Sequence, residues 1–357
     1  MIIEPIECGK KVNTIVFSFD EKYAKYFSVT LLSLINCCDS EYAYDLVVLY
    51  DDLSNETQKK LIRLLPDSFS LRFYNVSECA AEYFGDYTGL IDTNKWTVST
   101  FYDLLVPLIM PAYEKVLYSD SDLVFCKDPK ELFSIPFEGK PMIAVRDNFA
   151  LTWELHPDNS FLEKQEMFLK EKLEIDDYTD YFNTGIILFN IHAIDKDEYL
   201  RAIQHALSFP ELPTVDQDVL NYVFKGNVTY APVSFNLQAP IMRELREYND
   251  YRVRWPYYSG VDDPTVIHYT TDVKPWKSPE CEMNDIFWKS ARLSPFVDEI
   301  IDDGMNKITS SYKYPKLKLI VSGIMSKIFH GSWDRRFHKA RQINKTLKYL
   351  HDQKTKS

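Results

Sequence analysis

Thr14-Ile15-Val16-Phe17-Ser18-Phe19-Asp20 is a short apolar run that stops on a carboxylate, and it reads as a first β-strand. Tyr23 to Asn36 follows with Phe27, Leu31, Leu34 and Ile35 at helical spacing. Tyr44-Asp45-Leu46-Val47-Val48-Leu49-Tyr50 is a second strand. Ser54 then stands as an N-cap before a helix over Glu56 to Leu65. Phe69-Ser70-Leu71-Arg72-Phe73-Tyr74 is a third strand. Strands separated by helices of about ten residues predict a mostly parallel sheet. Such sheets bind ligands at the carboxyl ends of their strands, which draws attention to Asp20. Its ordinary role would be a turn or helix N-terminal acid.

Lys115-Val116-Leu117-Tyr118-Ser119 is a fourth strand that runs into Asp120-Ser121-Asp122, after which Val124-Phe125 resumes the apolar signal. Side chains alternate along an extended chain, so Asp120 and Asp122 share one side. Two convergent carboxylates repel unless a cation lies between them, and a hard divalent ion such as Mg²⁺ or Mn²⁺ would satisfy both. Asn148 to Asp177 is polar and helical in character, an excursion that could lie over a cleft. Gly185 to Asn190 is a further strand, preceded by Phe182-Asn183-Thr184. Asp216-Gln217-Asp218 opens a helix through Phe224, and Pro264 to Tyr269 is a late strand carrying His268 near its end. His268 could supply a third metal ligand and Lys274 could meet a diphosphate, although a packed histidine and a surface lysine are the commoner roles of such residues.

The 357 residues are 45% apolar and 26% charged, which excludes a disordered chain, and ten glycines exclude collagen-like classes. Six scattered cysteines without CxxC or Cys/His spacing predict neither a disulfide framework nor a zinc site. The first residues lack a basic-then-apolar leader, and no run approaches the roughly 18 apolar residues of a membrane span. The expected location is the cytoplasm. Net charge is −12, yet Met305 to Ser357 holds 13 basic against 2 acidic residues. An acidic body with a basic tail points to a partner borne by the tail.

Five blocks in order carry a resemblance. They are Ile15 to Asp20 with Tyr23; Val116 to Asp122; Tyr181-Phe182-Asn183-Thr184-Gly185-Ile186; Asp216-Gln217-Asp218-Val219-Leu220-Asn221; and His268-Tyr269 with Lys274-Pro275-Trp276. Together they resemble the retaining glycosyltransferases of family eight. The resemblance covers residues 13–276 and implies an α/β GT-A fold, a Rossmann-like nucleotide half and an acceptor half around one mixed central sheet. Residues 277–357 are left as a C-terminal helical extension with a basic tail. The resemblance further implies a UDP-hexose donor, Mn²⁺ (or Mg²⁺), and a glycan or lipid-linked acceptor of cell-surface polysaccharide assembly. It implies Asp120, Asp122 and His268 as metal ligands, and Asp20, Tyr23, Ser121 and Lys274 on the nucleotide side. Asn183, Asp216 and Gln217 line the implied pocket for the donor sugar and its anomeric carbon. Gln217 is a poor nucleophile, which favours front-face attack over a covalent intermediate on Asp216 or Asp218.

The chain departs from the family pattern at Phe101-Tyr102-Asp103-Leu104, where Asp103 stands in place of a donor-contacting arginine. Lys22 replaces a common asparagine and Thr271 a common glycine. A charge reversed at Asp103 implies a different donor sugar, or a relative that binds a nucleotide-sugar without turning it over. A nucleotidyltransferase is a further alternative, but Ser18-Phe19-Asp20-Glu21 lacks the Gly-rich basic loop it would need.

In the tail, Leu317, Ile320, Val321, Ile324, Met325 and Ile328 recur at helical spacing among Lys316, Lys318 and Lys327, with Trp333, Arg335 and Arg336 beyond. Residues 312–341 read either as an amphipathic helix on an anionic membrane surface, placing the protein at the inner face of the cell membrane, or as a helix packed on the catalytic domain. Nucleic acid is not an expected partner, because the body would repel phosphate.

Overall fold

The computed structural model describes residues 1–38, 41–85, 98–148, 150, 160–239, 259–270, 273–278 and 281–310, with 345, 348, 349, 352 and 353. The tail reading at 312–341 lies outside them, as do Thr271, 151–159 and 240–258. The chain forms two compact units, Met1–His268 and Tyr269–Ser357.

The first unit opens with β1 (Val12–Ser18), α1 (Ala24–Cys37), β2 (Ala43–Tyr50), α2 (Asn55–Ile62), β3 (Phe69–Asn75) and α3 (Ser77–Phe84). The three strands pair in parallel, β1 with β2 and β2 with β3. Ile15, Val16 and Phe17 are all fully buried, because helices cover both faces, so β1 reads as a continuous apolar run rather than an alternation. The helix expected to reach Leu65 ends at Ile62. The amides of Leu64 and Leu65 close tighter turns onto Leu61 and Ile62, and Pro66 disfavours helical geometry at Leu65.

A 3-10 helix at Val98–Leu105 leads through α4 (Val106–Ile109) to β4 (Lys115–Ser119) and β5 (Leu123–Phe125). Next come β6 (Met142–Arg146), α5 (Ser160–Glu171), β7 (Phe182–Asn190), α6 (Lys196–Ala206), α7 (Asp216–Phe224), β8 (Val228–Tyr230), β9 (Leu237–Gln238) and β10 (Val266–His268). The large sheet has the order β3-β2-β1-β4-β7-β6-β8, and a small one has the order β5-β10-β9. Because β7 runs antiparallel to β4 and to β6, the sheet is mixed, as the family resemblance implies. The late strand expected over Pro264 to Tyr269 pairs only at Val266–His268, since its partners β5 and β9 are themselves short.

This topology decides where function can lie. β1 and β4 are parallel, so Asp20 and Asp120 leave the sheet at one edge. The antiparallel register sets Ser119 against Ile186 and Arg146 against Phe182, which brings the start of β7 and the end of β6 to that same edge.

In the second unit α8 (Asn284–Ala291) and α9 (Val297–Ser310) follow a turn around Trp276. Trp276 is buried and packs on Phe287 with ring centroids 5.1 Å apart. The Trp288 indole donates to the Pro275 carbonyl.

Candidate functional site

Asp120 and Asp122 sit in the turn between β4 and β5. The antiparallel pair β5–β10 sets His268 opposite Leu123, one residue beyond Asp122. Nε2 of His268 lies 3.4 Å from Asp120 Oδ2 and 3.3 Å from Asp122 Oδ1. Ligand atoms of the three residues all fall within 4.8 Å of one another, a group that could hold a metal ion. Burial works against a charged imidazole, but the hydrogen bonds and charges of Asp120 and Asp122 prevail and draw the His268 pKa up to about 9. Two carboxylate oxygens and an imidazole nitrogen are the donor set of a divalent cation, and the residues fit one.

The surroundings hold that set in place. Nδ1 of His268 is 3.0 Å from Asn236 Oδ1, which fixes the ring so that Nε2 faces the carboxylates. A Cβ on Gly185 would lie 2.2 Å from Cε1 and 2.4 Å from Nδ1 of His268, so only glycine lets the ring seat. The buried Tyr118 hydroxyl donates to Asp120 Oδ1 (3.2 Å) and lies 2.7 Å from Ser18 Oγ. Thr30 of α1 donates to the carbonyls of Ser121 and Leu123, and Ser121 Oγ donates to the Ser18 carbonyl (3.1 Å). Asp20 accepts the Tyr23 amide (3.0 Å) in the turn that leads into α1, so it serves as a turn residue. Burial raises its pKa against that hydrogen bond.

On the antiparallel side, Asn183 Nδ2 donates to Gln217 Oε1 (2.9 Å) and to Asp147 Oδ2 (3.1 Å). Gln217 Nε2 donates to the same Asp147 oxygen (3.1 Å), and the Thr184 amide donates to Gln217 Oε1. Asn236 Nδ2 donates to Asn183 Oδ1 (2.8 Å), and Thr184 Oγ1 to Asp216 Oδ2 (3.1 Å). A continuous chain of hydrogen bonds therefore runs from His268 through Asn236, Asn183, Gln217 and Thr184. Asp216 and Gln217 open α7 just after Val215, whose φ of 50° is a conformation a β-branched residue rarely adopts.

Asp103, in the 3-10 helix, is fully buried. Its Oδ1 accepts the Leu104 amide at 2.7 Å, and among the described residues its Oδ2 meets no protein donor. Burial first, then the charge of nearby carboxylates, pushes both Asp103 and Asp216 well above the usual carboxylate range.

The first unit thus brings together Asp120, Asp122 and His268, and links Asn183, Gln217, Thr184 and Asp216. Lys274 belongs to the second unit, where it is buried and its ammonium donates to the Tyr269 carbonyl. Sequence reasoning missed Asp147, Asn236 and Tyr118. Asp147 follows the apolar run Met142 to Val145, the same strand-then-acid signal that marked Asp20 and Asp120. Nothing local marks Asn236.

The Glycosyl transferase family 8 model matches residues 14–280. The chain belongs to this family. It is thereby a glycosyltransferase. A lipopolysaccharide 1,2-glucosyltransferase of Escherichia coli is 23% identical over 325 residues, covering 87% of this chain and 88% of that one. Among solved structures, the bifunctional glycosyltransferase WbbM superposes with a TM-score of 0.72 at 24% identity, covering 85% of this chain and 53% of that one. The galactosyltransferase LgtC, solved with donor and acceptor sugar analogues, gives 0.59 at 23% identity, over 79% of this chain and 96% of that one. These likenesses identify the fold as GT-A. Among the described residues, no helix is long and apolar enough to cross a membrane.

Proposed function

We propose that the chain transfers a hexose, with retention, from a UDP-sugar to a glycan or lipid-linked acceptor in cell-surface polysaccharide assembly, using Mn²⁺ (or Mg²⁺). The observation that carries this is the Asp120–Asp122–His268 group at the carboxyl edge of the sheet, tied by hydrogen bonds to Asn183 and Gln217. The name of the Escherichia coli relative supports the acceptor class.

Asp120, Asp122 and His268 would hold the ion. When bound, it neutralises the charge that builds on the departing diphosphate. Asp20, Tyr23 and Ser121 bind the nucleotide, Lys274 the diphosphate, and Asp216 and Asn183 the sugar. The polar groups around the anomeric carbon favour the positive charge that develops as the C1–O bond breaks. Oε1 of Gln217 already receives Asn183 Nδ2 and the Thr184 amide, which supports a positioning role rather than nucleophilic attack. The acceptor oxygen then bonds to C1 on the face the diphosphate leaves, and its proton passes to the departing phosphate oxygen. Residues 148–177 and 239–263 select the acceptor. The catalytic domain spans 13–276. The tail at 312–341 docks on anionic lipid at the inner face of the membrane, at about 1 kcal/mol per well-placed basic residue.

UDP release from a panel of UDP-sugars, with Mn²⁺ and with chelator, tests the reaction. The wild type should release UDP from one donor in a metal-dependent way, and Asp122→Ala should lose about a thousandfold. Equal turnover by Asp122→Ala refutes the metal assignment. Deleting 312–357 should abolish binding to phosphatidylserine vesicles while UDP still binds; unchanged vesicle binding refutes the tail's role.

A further inference from the structure

β1 breaks its own pattern at the end away from the catalytic edge. Ile15, Val16 and Phe17 are apolar and fully buried, yet near the start of the strand stands Asn13, only 2% exposed. Buried amides are ordinarily held by hydrogen bonds, but among the described residues Nδ2 of Asn13 has no partner. Packing alone would favour a β-branched apolar residue at such a position. Asn13 lines a cavity of about 300 Å³, at the lower end of the range of small-molecule sites. The cavity lies between the N-terminal segment, the first residues of β1 and β4, and Phe133 of the 3-10 helix Pro129–Ser134. Ser18, which reaches the Tyr118 hydroxyl beside Asp120, is five residues further along β1, about 17 Å away. The cavity is therefore separate from the Asp120–Asp122–His268 group.

Its walls define the occupant. Lys11 and Lys115 supply two ammonium groups and Glu114 one carboxylate, a local excess of positive charge on a chain whose net charge is −12. Lys115 Nζ donates to the Phe133 carbonyl at 3.2 Å, which holds its ammonium at the wall with one of three donors engaged. The Tyr113 hydroxyl is committed to the Glu4 carbonyl (2.9 Å) and to Arg72, so Tyr113 and Phe133 contribute chiefly apolar surface. An occupant must offer an acceptor to the Asn13 amide, a negative charge to the ammonium groups, a hydroxyl donor to Glu114 and an apolar face to the rings. A sugar ring with one acidic group has all four. We propose that the cavity is a second binding site of this chain, for a single hexose that carries a phosphate ester or a carboxylate. The Asn13 amide donates to a sugar hydroxyl oxygen, Lys11 and Lys115 meet the acidic group, and Glu114 accepts a second hydroxyl.

Calorimetry and saturation-transfer NMR on the full chain test the site, with glucose 6-phosphate, glucuronate, glucose and inorganic phosphate as probes. Each probe is titrated with and without excess UDP and Mn²⁺. At least one of the two acidic sugars should bind, about tenfold more tightly than glucose or phosphate alone, and equally in the presence of UDP and Mn²⁺. The preferred probe distinguishes the phosphate ester from the carboxylate. Asn13→Leu keeps the bulk and removes the amide, and Lys115→Met keeps the stem and removes the charge. Each should weaken the bound sugar about tenfold, the loss of one hydrogen bond at a charged or buried group, and leave UDP release unchanged.

A wild type that binds neither acidic sugar overturns the proposal. So does binding that UDP and Mn²⁺ displace, which would place the probe at the catalytic edge. Inorganic phosphate bound as tightly as the sugars would mean a simple anion contact and overturns it too, as does affinity unchanged in both variants. If Asn13→Leu fails to fold by thermal melt, Lys115→Met still decides. The readout is binding, so a chain that turns over no UDP-sugar refutes the proposed reaction and leaves the judgement of this cavity intact.

Discussion

The two sides of the catalytic edge hold their residues in different ways. On the parallel side, Asp20 is tied to the Tyr23 amide and Ser54 to Thr57, partners three residues away, beside the longer ties that Thr30, Tyr118 and Ser121 make across the strands. On the antiparallel side, the side-chain hydrogen bonds that join His268, Asn236, Asn183, Gln217 and Asp147 link residues 32 to 70 apart. Local ties form with the helix that carries them and fail one at a time. Distant ties exist only once β7, α7 and β10 are all in place, so they hold or fail together. Disturbing the antiparallel side should therefore cost function out of proportion to the atoms changed.

Gly185→Ala is the sharpest way to break this contrast. One methyl group would meet the His268 ring at 2.2 Å, and the opposing atoms cannot withdraw without releasing Nδ1 from Asn236. We expect metal affinity and metal-dependent UDP release to fall about a hundredfold, as when the support of a metal ligand is removed. The strain should also lower stability by about 1–3 kcal/mol. Calorimetric Mn²⁺ titration against the wild type measures the first effect. Wild-type affinity in the alanine variant would show that the ring is not locked.

Asp218 sharpens the contrast from inside α7. It accepts the Tyr181 hydroxyl and the Thr214 amide, each at 2.7 Å, yet burial outweighs these bonds and raises its pKa to about 6. The unfolded value is about 3.9, so between the two the native state holds a proton that the unfolded chain has released. Its contribution to stability is full below about pH 4, declines as pH rises toward about 6, and is flat above, by at most about 3 kcal/mol. Urea unfolding of wild type and Asp218→Asn across that range should show their difference shrinking as pH rises. A difference that grows with pH would mean that the native site prefers the carboxylate.

The same contrast explains what was legible beforehand. β1, β2 and β4 announce themselves as apolar runs because both faces of the sheet are covered there, whereas the edge strand β3 alternates, and the acids after β1 and β4 follow by position. Asp120, Asp122 and His268 were legible as a set through the ordered family blocks, and the register of β5 with β10 supplies the physical reason they meet. Asp147 obeyed the strand-then-acid rule but lay in no quoted block. Asn236 could not be read, because a lone asparagine before a two-residue strand has no local signature and acquires its role only from His268 and Asn183. The charge of Asp103 was visible, but its full burial was not.

The smallest effect should come from the parallel side. Ser54 Oγ accepts the Thr57 amide at 3.2 Å as the N-cap of α2, and its own amide donates to Glu21 at 2.7 Å. Burial disfavours the Glu21 charge, but hydrogen bonds from Thr57 and Ser54 lower its pKa all the same, so the cap and the carboxylate support one another. Ser54→Ala removes the hydroxyl and keeps the backbone donor, which leaves Glu21 with Thr57 Oγ1 and the residue 54 amide. The loss should be about 1 kcal/mol of stability, with Mn²⁺ affinity and UDP release unchanged. If chemical denaturation instead showed a loss of several kcal/mol, or if metal affinity fell, the cap of α2 would not be a local tie, and its contrast with the linked network around Asn183 and His268 would vanish.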